Sequence, residues 1–266
     1  MKKLISIIII LLSVLMLCSC GQNKQEEQPQ KELTDLEYIK EKGVLVVGIT
    51  DFAPMDYMEN NEWTGFDAEV GKKVAEDLGV SIEFVEIDWD NKIFELNSKS
   101  IDCVWNGMTL TDEVKAAMET SKPYCNNAQV VVMKKDVLDT IDSIEGLKEL
   151  QFAVENGSAG MDAAEENGFT YVAVSTQADT LLEVASGTSD ASIIDLLMAG
   201  AMIGENTSYP ELSYKFELTS EEYGVGCRKG SDLADFINAE FKKFYDDGLL
   251  YKIAEQFGVQ ESLLAQ

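Results

Sequence analysis

Histidine is absent from this chain of 266 residues. Its absence excludes catalysis by a Ser-His-Asp or Cys-His arrangement, and it excludes any metal site built on imidazole ligands. Arginine is almost absent too, because Arg228 is the only one in the sequence. The missing histidine therefore rules out His-dependent nucleophilic catalysis and His-ligated metal chemistry before any motif is considered.

Cysteine is scarce, and its placement argues against a disulfide framework. Of the five cysteines, only Cys103, Cys125 and Cys227 lie beyond the first twenty residues. These three are odd in number, and no two of them stand at a metal-ligand spacing. Cys103 falls within an apolar strand pattern, where a thiol behaves as a small buried hydrophobe. We expect neither a metal site nor a disulfide on which the fold depends.

Basic residues are few relative to acidic ones. The chain has 21 Lys and Arg against 48 Asp and Glu, which gives a formal net charge of -27 at pH 7. Such a surface repels nucleic acid and anionic lipid headgroups and favours solubility. We expect no nucleic-acid partner, and no motif in the sequence indicates a cofactor.

The amino-terminal segment has the layout of a secretory signal. Lys2 and Lys3 precede an apolar run over residues 4–17, and the small-residue stretch Leu17-Cys18-Ser19-Cys20 follows. This ending resembles the lipobox of bacterial lipoproteins, which implies a signal peptide at 1–19 and a lipid on Cys20. A transmembrane anchor is the alternative, but the apolar run is shorter than the roughly 20 residues that span a bilayer. Residues 20–32 are rich in Gln, Glu and Lys, which is typical of a disordered tether.

Strand and helix patterns alternate through the first half of the remaining chain. Thr34 and Glu37 form a capping box that opens a short helix ending before Gly43. Apolar runs at 44–49 and 101–105 and the alternating pattern at 80–87 predict strands. The four-residue spacing of apolar residues from Phe66 to Leu78 predicts an amphipathic helix, and residues 90–98 can also be helical. A strand-helix alternation of this kind indicates a parallel α/β sheet covered by helices.

The same alternation restarts after residue 128. We predict strands at 129–133, 152–154, 171–174 and 191–194, with helices at 158–166 and 178–186 between them. A last strand at 221–227 and two amphipathic helices at 233–244 and 249–257 then return to the first lobe. The fold expected is therefore α/β, with 33–128 plus 225–266 forming one lobe and 129–224 the other, joined by two crossover strands.

Residues 101–111 connect an apolar strand pattern to the start of a helix. An apolar strand ends in the polar segment Asn106-Gly107-Met108-Thr109, and Thr111 then has the character of a helix start. Backbone N–H groups at a strand end facing a helix N-terminus can hold a small polar ligand. We expect this segment to form part of a ligand site.

The chain resembles the bacterial extracellular solute-binding proteins of the polar-amino-acid class, the receptors of ABC importers. The residues that carry the resemblance are 44–48, 52–55, 64–67, 101–111, 121–124, 153–160, 189–195 and 223–225. It implies two Rossmann-like lobes with parallel-dominated sheets that close about a hinge over one small ligand. It also implies an extracytoplasmic monomer that is held to the membrane only by its lipid and serves an ABC permease.

The resemblance places ligand-binding residues on both lobes. Phe52 lies where an aromatic ring covers the ligand, Trp89 where a second apolar wall is usual, and Asp195 where a carboxylate grips the ligand ammonium. Ser158 and its neighbours offer backbone N–H groups. The full set of expected ligand residues is Asp51, Phe52, Trp89, Asn106, Gly107, Met108, Thr109, Lys115, Glu155, Ser158, Ala159 and Asp195.

One departure from the family pattern narrows the range of ligands that we expect. Members that bind α-amino acids place an arginine three residues after Thr111, where it clamps the ligand carboxylate, but this chain has Val114 there. Lys115 is next to it but points about 100° away on a helix. Glu155 adds negative charge. The ligand expected is a cation or heteroatom-rich neutral molecule without an obligatory α-carboxylate, or an amino acid held by backbone donors and Lys115.

Two other functions remain open at the level of sequence. A few proteins of this fold have become dehydratases, in which case Glu155 or Asp195 would be the general acid or base. A ligand sensor or surface protein without a transport role would share every motif named above. We expect a binding protein rather than an enzyme.

Overall fold

The computed structural model describes residues 33–266. The predicted signal peptide at 1–19, the lipid site at Cys20 and the predicted tether at 20–32 lie outside these residues. In the described part of the chain, no helix combines the length and the hydrophobicity needed to cross a bilayer.

The described chain begins with the predicted capping box. The Thr34 side chain accepts a hydrogen bond from the Glu37 N–H, the Glu37 carboxylate accepts one from the Thr34 N–H, and Gly43 ends the helix at a φ of 75°. The elements up to the first crossover are α1 Asp35–Lys42, β1 Val44–Ile49, β2 Tyr57–Glu59, β3 Glu62–Thr64, α2 Phe66–Leu78, β4 Ser81–Glu86, a 3-10 helix Trp89–Asn91, α3 Lys92–Asn97, β5 Cys103–Thr109, α4 Asp112–Ala117, β6 Glu119–Thr120 and β7 Cys125–Asn127.

The chain then builds a second set of elements and returns to the first set. The predicted strands and helices of this half are present, and an additional helix follows the strand that ends at Asp195. The elements are β8 Gln129–Lys134, α5 Lys135–Leu138, a 3-10 helix Ile144–Leu147, β9 Gln151–Glu155, α6 Ala159–Asn167, β10 Thr170–Val174, α7 Gln177–Ser186, β11 Ala191–Asp195, α8 Leu196–Met202, β12 Leu212–Glu217, β13 Glu221–Cys227, α9 Leu233–Asp246, α10 Leu249–Phe257 and a 3-10 helix Gln260–Ser262.

Most strands of residues 33–266 belong to two sheets, each the centre of one lobe. The first sheet has the strand order β4-β1-β5-β13-β6, and β7 also pairs with β13. The second sheet has the strand order β10-β9-β11-β8-β12. The two-lobed α/β class is confirmed. The sheets are mixed rather than dominated by parallel strands, because β13 and β8 pair antiparallel with their neighbours while β4-β1-β5 and β10-β9-β11 are parallel. Both antiparallel strands enter their sheets from a crossover, which reverses their direction.

The two crossovers are short. β7 ends at Asn127 in the first sheet and β8 begins at Gln129 in the second, so the chain changes sheets at Ala128. It returns between Glu217 and Glu221. The whole of β13 pairs within the first sheet, so the lobe boundary expected at residue 225 does not coincide with the change of sheet.

Strand β5 is longer than its apolar run. The strand expected to end at Trp105 continues to Thr109, because Tyr223 of β13 pairs with Thr109 and extends the ladder. The register shifts in this region and Gly107 has a φ of 56°, which together describe a bulge. The segment expected to be a loop is thus a bulged strand end, and its residues 106–109 lie along the cleft between the lobes.

Several residues near β5 belong to the core of the first lobe. Trp105 is 1% exposed and packs edge-on against Phe241, with ring centroids 5.5 Å apart, so it is a core residue rather than a ligand contact. Cys103 and Cys227 are neighbours across β5 and β13 and are buried free thiols. The first lobe therefore presents a rigid packed sheet behind its half of the cleft.

Candidate ligand-binding site

A cavity of about 160 Å³ opens between the two lobes. Both lobes contribute to it at the carboxyl ends of parallel strands, where α/β sheets commonly bind ligands. Ten of the expected ligand residues line this cavity: Phe52, Trp89, Asn106, Gly107, Met108, Thr109, Glu155, Ser158, Ala159 and Asp195. Asp51 and Lys115 do not line it, and both are exposed.

Aromatic rings form one part of the cavity wall. Phe52 is 3% exposed and meets Tyr223 edge-on at 6.3 Å between centroids. A Cβ on Gly107 would lie 2.5 Å from the Phe52 ring, so only glycine lets this ring lie against the bulged strand. Trp89, which is 8% exposed, supplies the second apolar surface from the 3-10 helix. A flat or cationic ligand group would find favourable contacts on these rings.

The Asn106 side chain is fully occupied by the protein. Its Oδ1 accepts from the N–H and the hydroxyl of Thr50, at 2.8 and 2.6 Å, and its Nδ2 donates to Thr50 O and to Asp56 Oδ2. An amide side chain has two donors and two acceptor lone pairs, so none is left for a ligand. Asn106 therefore holds β1 and β5 together at the cavity floor.

The second lobe contributes the start of helix α6. Ser158 caps this helix by accepting a hydrogen bond from the Met161 N–H at 3.1 Å. In residues 33–266, the N–H groups of Ala159 and Gly160 in the first turn find no acceptor, as is usual for the first residues of a helix. These two donors and the positive end of the helix dipole favour an anionic group of a ligand.

Asp195 sits at the junction of both lobes. It accepts hydrogen bonds from Tyr223 and Asn127 of the first lobe and from Gln129 and Gln177 of the second. Asp195 immediately precedes α8, but its side chain makes no capping hydrogen bond to that helix. Three of the donors reach Oδ1 and one reaches Oδ2, which leaves Oδ2 able to accept a further bond from a ligand.

Burial raises the pKa of two cavity carboxyls. The pKa of Asp195 is raised to about 7, first by burial and then by the negative charge of Glu221, while its hydrogen bonds from Tyr223, Gln177 and Gln129 work in the other direction. The pKa of Glu155 is raised to about 8 by burial and by Asp195, while Lys92 lowers it.

Glu155 also has an unsatisfied atom. The residue is 3% exposed, and its Oε1 has no hydrogen-bond partner among the described residues. An unpaired buried carboxylate oxygen is costly, and a cationic donor from a ligand would satisfy it.

Carboxyl groups outnumber basic groups on the cavity wall. Five carboxyl residues line the described cavity, Asp90, Glu113, Glu155, Asp162 and Asp195, against a single basic residue, Lys92. Such a wall favours a ligand with more positive than negative charge.

The chain's only arginine is not available to the cavity. Arg228 is 8% exposed, donates to both carboxylate oxygens of Asp35 and to Ile101 O, and pairs with Asp102 at 3.3 Å. It therefore stabilises the first lobe, and Val114 lines the cavity at the position where the family resemblance implies an arginine.

Sequence reasoning missed Lys92 and most of the acidic wall. The further lining residues are Thr50, Asp90, Lys92, Ile93, Thr111, Glu113, Val114, Gly157, Met161, Asp162 and Gln177. Lys92 lies within the segment predicted to be helical, and nothing local distinguishes it from a solvent-facing lysine. Gly157 is the residue from which this part of the cavity could have been predicted, because a glycine between a strand end and a helix start often marks a close approach of the backbone to another group.

The sequence and fold match known solute-binding proteins. A model of the family described as bacterial extracellular solute-binding proteins, family 3, matches residues 45–260, and the chain belongs to this family. The arginine-binding extracellular protein ArtP of Bacillus subtilis is 28% identical over 264 residues, covering 97% of this chain and 98% of that one. The L-cystine-binding protein TcyA of Bacillus subtilis is 30% identical over 265 residues, covering 97% of each chain.

A solved structure extends the similarity to the fold. A mutant of ArgBP from T. maritima superposes with a TM-score of 0.78 at 32% identity, covering 84% of this chain and 99% of that chain. The relatives are solute-binding proteins. Because their names specify different amino acids, family membership alone does not define the ligand of this chain.

Proposed function

We propose that this protein captures a cationic amino acid, or a related small amine, by closing its two lobes, and delivers it to an ABC importer. The observation that carries the ligand class is the buried Oε1 of Glu155, which faces an acidic cavity without a partner. A guanidinium or ammonium group there would supply the missing hydrogen bond and favour the ionised form of the Glu155 carboxyl.

The shape of the cavity supports the same ligand class. The Phe52 ring offers an apolar surface that suits a planar guanidinium, and Asp195 retains an acceptor position for a ligand ammonium. The names of ArtP and ArgBP add support, since ArtP is described as arginine-binding. L-glutamate, whose second carboxylate gives it a net negative charge, would place that charge against a wall with five acidic side chains.

Calorimetry with purified protein tests the ligand class. L-arginine and L-lysine are expected to bind with dissociation constants of about 10 μM or tighter, with L-glutamate and L-cystine at least about a hundredfold weaker. Tightest binding by L-glutamate or L-cystine would contradict the proposal. Glu155→Lys is a reversed-charge variant that should abolish binding of both cations.

Delivery to an importer rests on family membership and on the predicted lipid site. Mature protein should fractionate with membranes from cells, and Cys20→Ser should release it into the medium while leaving arginine binding intact. Wild-type protein found only in the medium would contradict lipid anchoring.

A further inference from the structure

An amino acid has a carboxylate as well as its cationic groups, and this cavity lacks the usual arginine to meet it. The only basic side chain on the described cavity wall is Lys92, at the start of α3. It is 9% exposed, so nearly all of it is withdrawn from water. A lysine buried at a ligand cavity is costly unless its charge is used.

The bonds of Lys92 leave one donor free. Its Nζ donates to Trp89 O at 3.2 Å and to Gly157 O at 2.8 Å, and it lies 4.9 Å from the centroid of the Trp89 ring. An ammonium carries three hydrogens. Lys92 forms no ion pair with a carboxylate among the described residues. Burial lowers the pKa of its ammonium group, while the negative charges of Glu155, Glu113, Asp90 and Asp162 work in the other direction.

The free donor lies near other donors. Gly157 precedes the Ser158 cap of α6, so the Lys92 ammonium is held beside the start of the helix whose Ala159 and Gly160 N–H groups have no acceptor in residues 33–266. The ammonium from the first lobe and the helix start from the second lobe therefore converge on one part of the cavity. Two kinds of donor at one place suit a carboxylate.

We propose that Lys92, rather than residue 114 or Lys115, binds the carboxylate of the ligand together with the N-terminus of α6. This inference rests on the proposed function, because it assigns one end of an amino-acid ligand whose cationic end meets Glu155. It makes Lys92 a specificity-determining residue that separates amino acids from their decarboxylated amines.

The test compares arginine with agmatine, which is arginine without its carboxylate. Unmodified protein is expected to bind arginine at least about tenfold more tightly than agmatine. Lys92→Met is expected to weaken arginine binding by about tenfold or more and to leave agmatine within about threefold of its original affinity. Lys92→Arg should restore much of the preference, and Lys115→Met, an exposed lysine outside the cavity, should change neither ligand.

Three results would overturn the inference. Equal affinity of unmodified protein for the two ligands would show that the carboxylate is not recognised, a result that needs no variant to fold. Equal loss of both ligands in Lys92→Met would show that Lys92 only bridges the lobes through Gly157. If neither cation bound to unmodified protein, the proposed function would be wrong, and the inference with it.

Discussion

Binding of a cation at Glu155 should release a proton. In the free cavity, burial and the charge of Asp195 raise the pKa of Glu155 to about 8, so at pH 7 the carboxyl is mostly protonated. A guanidinium or ammonium beside Oε1 favours the ionised carboxylate. Arginine binding and ionisation of Glu155 are therefore linked, and each should favour the other.

The magnitude follows from the pKa. With a pKa of about 8 in the free protein and full ionisation in the complex, Glu155 releases about 0.9 of a proton at pH 7. The arginine association constant should then rise about ninefold from pH 6 to pH 7 and about fivefold from pH 7 to pH 8. Asp195, with a pKa of about 7, adds to the release only if the ligand also ionises it.

Calorimetry in buffers of different ionisation enthalpy measures the released protons directly. The observed binding enthalpy at pH 7 should vary with buffer ionisation enthalpy with a slope of magnitude about 0.9 for unmodified protein, and this slope should fall by most of that amount in Glu155→Gln. Glu149→Gln removes an exposed carboxylate from the same lobe and should leave the slope unchanged. Tight arginine binding with no buffer dependence, or with the same dependence in Glu155→Gln, would refute the reasoning.

Three further substitutions test other parts of the structure. Gly157→Ala should weaken arginine binding by at least about tenfold in calorimetry, because a Cβ there would lie 2.8 Å from Asp90 Oδ1 across the cleft. Gly168→Ala is the control, with a similar φ and nothing within 4 Å, and an equal loss in both variants would contradict closure of the lobes. Arg228→Met should lower the free energy of unfolding in urea by about 3 kcal/mol, since it removes the charge that pairs with the buried Asp102 and the partly buried Asp35, and a loss under about 1 kcal/mol would contradict this role. Burial raises the pKa of Asp67 from 3.8 to about 6, so its contribution to stability is complete below pH 3.8 and is lost as the pH rises through about 6. Asp67→Asn should therefore flatten the fall in Tm between pH 4 and pH 7, and an unchanged fall would contradict this role of Asp67.

Local signals in the sequence were sufficient for most of the fold. The capping box at Thr34, the apolar run of β1 and the spacing from Phe66 to Leu78 each depend on neighbours within one or two turns, and each matches the structure. The extension of β5 to Thr109 could not be predicted in the same way. It depends on pairing with β13, more than a hundred residues along the chain.

Asp67 and Asp102 lie at the ends of elements, where an aspartate often serves as a cap, and they show the same limit. Asp67 instead accepts hydrogen bonds from the Gly107 N–H and the Tyr124 hydroxyl, and Asp102 accepts one from the Val46 N–H and pairs with Lys42. Each is buried by partners from distant segments. Both aspartates do lie at the ends of elements, but the hydrogen bonds that define their roles come from tertiary contacts.

The basic residue of the candidate site is not the one that the sequence pattern indicated. Val114 showed from sequence alone that the usual clamp is missing, and helix geometry showed that Lys115 is a poor substitute. The cation that the cavity does contain, Lys92, comes from a different helix, and its burial depends on the carbonyl of Gly157 in the other lobe. A residue of this kind can be recognised as part of the site only when the positions of both lobes are known.

The balance between Glu155 and Lys92 also suggests how closure selects a ligand. When the lobes close, every unpaired charge on the cavity wall loses water, so a ligand must leave few charges without a partner. A neutral amino acid satisfies Lys92 but leaves Glu155 to be protonated, whereas a cationic amino acid satisfies both. At pH values below the pKa of Glu155, protonation costs little, and the distinction between neutral and cationic ligands should narrow. We therefore expect the ligand selectivity of this protein to depend on pH as well as on the shape of its cleft.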